Sequence, residues 1–288
     1  MTDRLSVRKT YKLYIGGAFP RSESGRSYEV ATADGTFLAN VARASRKDVR
    51  DAVVAARGAF KGWATKTAYN RGQILYRIAE MLEGRHAQFV DEVVAAEGVD
   101  PERAEAIVAA TVDRWVWYAG WADKITQVAG SANPVAGPYF NFSVTEPTGV
   151  VAVIAPQASS LLGLVSVVAP AIVSGNTTVV VASQQRPMPA VSLAEVLATS
   201  DLPGGVVNLL TGHIVELAPV LAAHMDVNAI DLTGIAEDAR PPLEEAAAEN
   251  VKRVLPAAVV EPDWFADPGT DRLLAPLEVK TVWHPMGL

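Results

Sequence analysis

Few side chains in this sequence are of the kinds that carry chemistry at protein sites. There is no cysteine among 288 residues, which excludes disulfides, thiolate metal sites and any cysteine nucleophile. His86, His213, His224 and His284 lie far apart without metal-ligand spacing, so no metal is predicted. Ser159-Ser160 follows Pro156 but lacks a G-x-S-x-G elbow and a base in the pattern, and it reads as structural. Thr211-Gly212 and Thr233-Gly234 each close an apolar run. Their continuations, TGHIVE and TGIAED, lack the full glycine fingerprint of a nucleotide turn, so each alone says little. Trp115, Trp117 and Trp121 share one helical stretch and read as packing aromatics.

The elements that position these residues centre on Glu146 to Arg186, between which no Asp, Glu, Lys or Arg occurs. Such a run must be buried. Pro156, Ser159, Ser160, Pro170, Gly175 and Asn176 divide it into pieces too short for a membrane span, which needs roughly 18 unbroken apolar residues. Val150–Ala155 reads as a strand covered on both faces, Leu161–Val173 as a buried helix stopped by Gly175-Asn176, and Thr177–Val181 as a second strand. This is a βαβ unit with parallel strands. Further on come a helix at Pro189–Ser200, a strand at Val206–Leu210, a helix at Ile214–Ala223, a strand at Ala229–Leu232, a helix at Leu243–Asn250 and a strand at Arg253–Val260. The alternation predicts an α/β fold: a Rossmann-like doubly wound parallel sheet with helices on both faces.

Before this core, Lys12–Ile15 and Tyr28–Ala31 read as a surface hairpin. SRKD at Ser45 caps a helix over Lys47–Phe60, with Lys47, Asp48, Arg50 and Asp51 toward water. Helices follow at Asn70–Glu83, Ala87–Gly98 and Pro101–Gly120, then an exposed strand at Tyr139–Thr145. Glu261–Pro276 reads as a loop-like connector and Leu277–Trp283 as a final strand. With 25 basic and 32 acidic residues the net charge is −7 and the pI about 5.2, which argues against a nucleic-acid or anionic-membrane partner. The N-terminus has no apolar signal region, so a cytoplasmic location is expected.

Taken together, EPTGVVAVIAP, APAIVSGNTTVVVASQQRP, LPGGVVNLLTG, HMDVNAIDLTG and LEVKTVWHP resemble, in order and spacing, the aldehyde dehydrogenase superfamily. The resemblance covers about Lys12 to Ala257 and resumes at Leu277. It implies a truncated homologue in which Ala258 to Pro276 stands where the family has its catalytic domain. The implied domains are 1–138 with 146–260 as N-terminal helices and a dinucleotide-binding-like region, 139–145 with 277–288 as oligomerisation arm strands, and 261–276 as the replacing connector.

In the family a cysteine attacks the aldehyde, an asparagine helps stabilise the oxyanion, a glutamate acts as base and NAD(P) accepts hydride. The resemblance places the asparagine on Ala158 and the glutamate on Ala257, and no cysteine exists to take the third role. No catalytic residue remains, which marks a pseudoenzyme. The family's cofactor positions fall on Pro156, Val181, Gln184, Gly212, Thr233, Gly234 and Ile235. Val181 and Gln184 replace a lysine and a glutamate that hold a ribose, and Ile235 and Ala239 replace the serine and second glycine of the pyrophosphate turn. A vestigial site of this kind implies no bound cofactor, or at most weak NAD(P) affinity.

The arm strands Tyr139–Thr145 and Leu277–Trp283 are retained. Since unpaired strand edges bind other chains, the resemblance implies an inactive structural or regulatory subunit that pairs with a full-length aldehyde dehydrogenase paralogue. Two alternatives are an oxidoreductase subunit that completes a composite NAD(P) site on a partner, and a binding module that uses the vestigial cleft for another ligand.

Overall fold

The computed structural model describes residues 8–255 and 257–287. Its N-terminal ribbon departs from the expected hairpin of Lys12–Ile15 with Tyr28–Ala31. β1 (Thr10–Tyr11) is short, and β2 (Ser27–Ala31) pairs antiparallel with β3 (Phe37–Ala42), a strand that sequence patterning does not flag. Lys12–Ile15 instead leans on the main sheet. Tyr14 N donates to Leu209 O at 2.9 Å and Leu209 N returns to Tyr14 O at 2.7 Å. Leu13 and Tyr14 are buried there; core burial outweighs the local pairing preference.

α1 (Arg46–Ala64) opens with the expected capping box, in which the Ser45 hydroxyl accepts from Lys47 N and Asp48 N. Asp48 is not directed to water, as the helical pattern suggested, but is 3% exposed. Its carboxylate accepts from Ser45 N at 2.7 Å, Ser22 Oγ at 2.8 Å and Glu23 N at 3.1 Å, so the burial is satisfied. α2 (Ala68–Glu83), α3 (His86–Glu97) and α4 (Pro101–Trp121) follow, then the short α5 (Ile125–Ala129). Trp115 is fully buried, and Trp117 meets Tyr118 edge-on at 4.8 Å between ring centroids, so these aromatics are packing groups.

The remaining elements are β4 (Ser131–Asn133), β5 (Tyr139–Pro147), β6 (Val150–Ile154), α6 (Leu162–Val173), β7 (Thr177–Val181), α7 (Met188–Ala198), β8 (Val207–Leu210), α8 (Ile214–Ala223), β9 (Ala229–Asp231), α9 (Pro241–Ala248), β10 (Arg253–Leu255), α10 (Asp271–Leu274) and β11 (Leu277–Pro285). A five-stranded sheet takes the order β10-β9-β6-β7-β8, every pair parallel. Alternate residues serve opposite faces. Val151, Val153 and Val180 enter the core beneath α6 and α7, with α2 to α4 outside them, while Val150, Ile154 and Val179 enter the core beneath α1 and α8. With both faces covered, neither side of the strands has a use for polar residues, which is why Glu146 to Arg186 carries no charge.

The sheet order reverses between β6 and β9. From β6 the chain steps outward through β7 to β8, and α8 then carries it back to the other side of β6. Crevices for ligands in such sheets form at the carboxyl ends of the strands at this point.

A second sheet, β11-β5-β4, stands apart, with β11 antiparallel to β5 from Leu277 opposite Pro147 to Pro285 opposite Tyr139. Two expectations about the connector need correction. The strand expected over Arg253–Val260 ends at Leu255, because the buried Arg240 guanidinium takes the carbonyls of Ala257 (3.2 Å) and Ala258 (2.6 Å) in place of a ladder. The segment 261–276 is also no plain loop, since it contains α10 and buries Leu273 and Trp264. Among the described residues, no helix is long and apolar enough to cross a membrane.

Candidate functional site at the switch point

The chain turns sharply where β6 ends. Ala155 N is held by Val181 O at 3.0 Å, and Pro156, Gln157 and Ala158 then run across the carboxyl end of the sheet toward α6. Beside them β9 leads to Thr233-Gly234. Gly234 N donates to Ile154 O at 2.9 Å, and a Cβ on Gly234 would stand 2.0 Å from Ala155 O. Only glycine lets these two turns approach so closely. Pro156 and Thr233-Gly234 are thereby gathered at the carboxyl ends of β6 and β9, with Ala158 two residues beyond Pro156 and Ile235 buried in the core.

Val181, Gln184 and Gly212 lie at the ends of β7 and β8, one strand further out. Gln157 joins the two groups: its Oε1 accepts from Gln184 N at 2.9 Å, and its carbonyl accepts from Ser183 Oγ at 3.0 Å. Ala257 is placed at the β9 side through Arg240, whose Nε also donates to Ile235 O at 3.0 Å.

The polar groups of this crevice are largely committed to one another. Gln184 Oε1 accepts from Ile214 N at the start of α8 (3.2 Å), and its carbonyl accepts from Tyr28 Oη at 3.1 Å. Burial pushes the Tyr28 phenol up, so it stays a neutral donor. Val181 is fully buried in the core. Thr233 is tied to Asp231, whose carboxylate also takes Thr233 N at 2.8 Å and Arg272 Nη1 at 2.8 Å. Asp231 is 1% exposed, and Arg272 supplies the positive charge that such burial demands.

The sequence patterns do not flag four residues of this site, Glu261, Trp264, Arg272 and Arg114. Glu261 accepts from Ser159 N at 3.1 Å, Ala158 N at 3.3 Å and Trp264 Nε1 at 2.9 Å. Trp264 seats against Gly163, where an added Cβ would lie 2.9 Å from its Nε1. The buried Arg114 of α4 donates to the carbonyls of Trp264 and, at 3.1 Å, Ala266. The one local hint in the sequence is Trp264, in a connector of three prolines and four acids.

The histidines make no common site. His86 Nε2 lies 2.8 Å from Glu105, His213 packs on Tyr28 at 5.4 Å, and His224 Nδ1 accepts from Asp226 N at 3.2 Å. Among the described residues no group of three metal-ligating side chains forms.

A dinucleotide can be tested against this geometry. Val181, where the resemblance sets a ribose-binding lysine, is buried. The side-chain oxygen of Gln184 already accepts from Ile214 N, and Ile235 brings no hydroxyl to the turn after β9. A carboxylate, from Glu261, stands on the backbone amides ahead of α6. With Glu261 seated on these amides, the site does not fit a phosphate-bearing cofactor.

The family profile described as aldehyde dehydrogenase matches residues 19–257. The chain is 33% identical over 264 residues to cytosolic 10-formyltetrahydrofolate dehydrogenase of Pongo abelii, covering 88% of this chain and 28% of that protein. It is 33% identical over 248 residues to an aldehyde dehydrogenase of Davidiella tassiana, covering 84% of this chain and 49% of that one. Among solved structures, HpcC from Thermus thermophilus superposes with a TM-score of 0.81 at 31% identity, over 86% of this chain and 48% of that chain. An NAD+ complex of aldehyde dehydrogenase from Bacillus cereus gives 0.80 at 27% identity, over 85% and 50%. The chain thus spans about half the length of the D. tassiana relative and of these structures, and less of the formyltetrahydrofolate enzyme. With the sheet order, the switch-point turns and these matches in agreement, the chain belongs to the aldehyde dehydrogenase family.

Proposed function

We propose that this chain is a catalytically inactive member of its family that serves as a structural or regulatory subunit, pairing with a full-length aldehyde dehydrogenase through the β11-β5-β4 sheet. The observation that carries the reading is a sheet with an exposed outer edge beside a site that lacks the reactive residues of the family. Ala158 and Ala257 offer neither an oxyanion donor nor a base, and no cysteine is present. Along β11, every residue from Glu278 to Pro285 is exposed, and no described strand pairs with its outer edge. Phe140 (50% exposed), Val282 and Trp283 (58%) lie on or beside that edge. An edge with free backbone donors and acceptors and apolar side chains is a template for strand addition.

The partner follows from the family, whose arms seat on the catalytic domain of another subunit. Two copies of this chain would present two arms and no such seat. A cytoplasmic location fits the reading, since the formyltetrahydrofolate relatives are described as cytosolic. Coexpression with a full-length family member followed by size-exclusion chromatography tests it. Co-elution that is lost on replacing Val282 and Trp283 with Ser is expected, and separate elution of the two chains at micromolar concentration would sink the reading.

A further inference from the structure

The crevice at the switch point is filled from within. Ala158 and Ser159 present successive backbone amides ahead of α6, an arrangement that suits an anion. That anion is the chain's own Glu261, at 3.3 and 3.1 Å, with its carboxylate steadied by Trp264 Nε1 at 2.9 Å. Four further contacts hold this strap down. Trp264 is 9% exposed and occupies the space left by the missing side chain of Gly163. Arg114 grips its carbonyl from below, the Arg272 guanidinium lies over its ring at 5.3 Å while pairing with Asp231, and Arg103 covers Phe265 at 4.0 Å.

We propose that Glu261–Trp264 is an intramolecular occupant of the nucleotide crevice, which a dinucleotide must displace before it can enter. Two physical effects make the occupant hard to remove. As a tethered group it competes at an effective concentration on the order of millimolar, whatever the free ligand concentration. Its negative charge also opposes a second anion at the same amides while the strap is seated. The lost contacts at Val181 and Ile235 weaken the ligand, and the strap blocks its place. The device is independent of partner pairing: a chain that fails to bind an aldehyde dehydrogenase still carries it.

The test uses the full chain, wild type and with Glu261→Gln or Trp264→Ala, each checked for intact β6 and β7 amide protection. Amide exchange at Ala158 and Ser159 is read by NMR, and NAD binding by calorimetry. The expected result is exchange at least tenfold faster at Ala158 and Ser159 in both variants, and NAD affinity at least tenfold higher in Glu261→Gln than in wild type. Unchanged exchange would overturn the strap contact. Equal NAD affinity in wild type and variant, or no NAD binding to either, would overturn the strap as the cause of exclusion. Co-elution with a partner bears on neither outcome.

Discussion

The two sheets are built from similar residues and held in opposite ways. β6 (VVAVI) and β7 (TTVVV) are buried at every position, and each side chain meets a core on its own face. β11 (LEVKTVWHP) also carries β-branched and aromatic residues, Val279, Thr281, Val282 and Trp283, yet only Leu277 is buried. The central sheet is stabilised by area removed from water, about 1.5–3 kcal/mol for each large side chain. The arm relies on cross-strand neighbours, such as Tyr139 with Trp283 at 5.6 Å and Ser143 Oγ with Thr281 Oγ1 at 2.9 Å. Its root is also pinned: Asn176 Nδ2 donates to Pro276 O at 2.9 Å, and Arg253 donates to Leu277 O at 2.9 Å. Strand propensity therefore says little about stability until the cover on each face is known.

Substitution should separate the two sheets cleanly. Ile154→Ala, in the central sheet, is expected to cost about 2–5 kcal/mol in urea unfolding through the cavity it leaves. Val282→Ala, on the arm, should stay within about 0.5 kcal/mol. Comparable losses at the two positions would break the contrast.

Asn176→Ala probes the joint between the sheets. The side chain accepts from Gly149 N at 2.8 Å and Thr148 Oγ1 at 3.1 Å and donates to Ser174 Oγ and Pro276 O, both at 2.9 Å. Leaving these buried groups unpaired should cost about 3 kcal/mol. Amide exchange should quicken at β11 before it does at β10. Uniform loosening of both would mean that the arm is not hinged there.

The smallest effect is expected outside both sheets, in the helical layer. Glu92 of α3 is half-buried, and desolvation, the dominant influence, raises its carboxyl above the ordinary 4.5, against hydrogen bonds from Ser192 and Gln88. A raised folded-state value means that the stability it contributes is complete below its ordinary value and is lost as pH rises through the folded value. Wild type should therefore lose stability relative to Glu92→Gln on going from acid to neutral pH, as followed by thermal melts across that range. A flat difference would show that the fold does not raise the Glu92 carboxyl.

Much of this protein was legible in its residues. The uncharged run from Glu146 to Arg186 specified a strand, helix and strand buried on both sides, because a residue sequence with no polar face has no stable place beside water. The alternation after it predicted the parallel sheet, and SRKD predicted the capped start of α1, since these signals depend only on near neighbours. Tertiary structure alone decided the rest. Lys12–Ile15 joined the main sheet because Leu13 and Tyr14 find more burial against β8 than in a hairpin. Asp48 turned inward because Ser22 and Glu23, distant in sequence, meet its carboxylate. The connector became a strap over the switch point because Glu261 finds the amides of Ala158 and Ser159 roughly a hundred residues away. Such partners are set by how the chain returns on itself, and no local pattern records that.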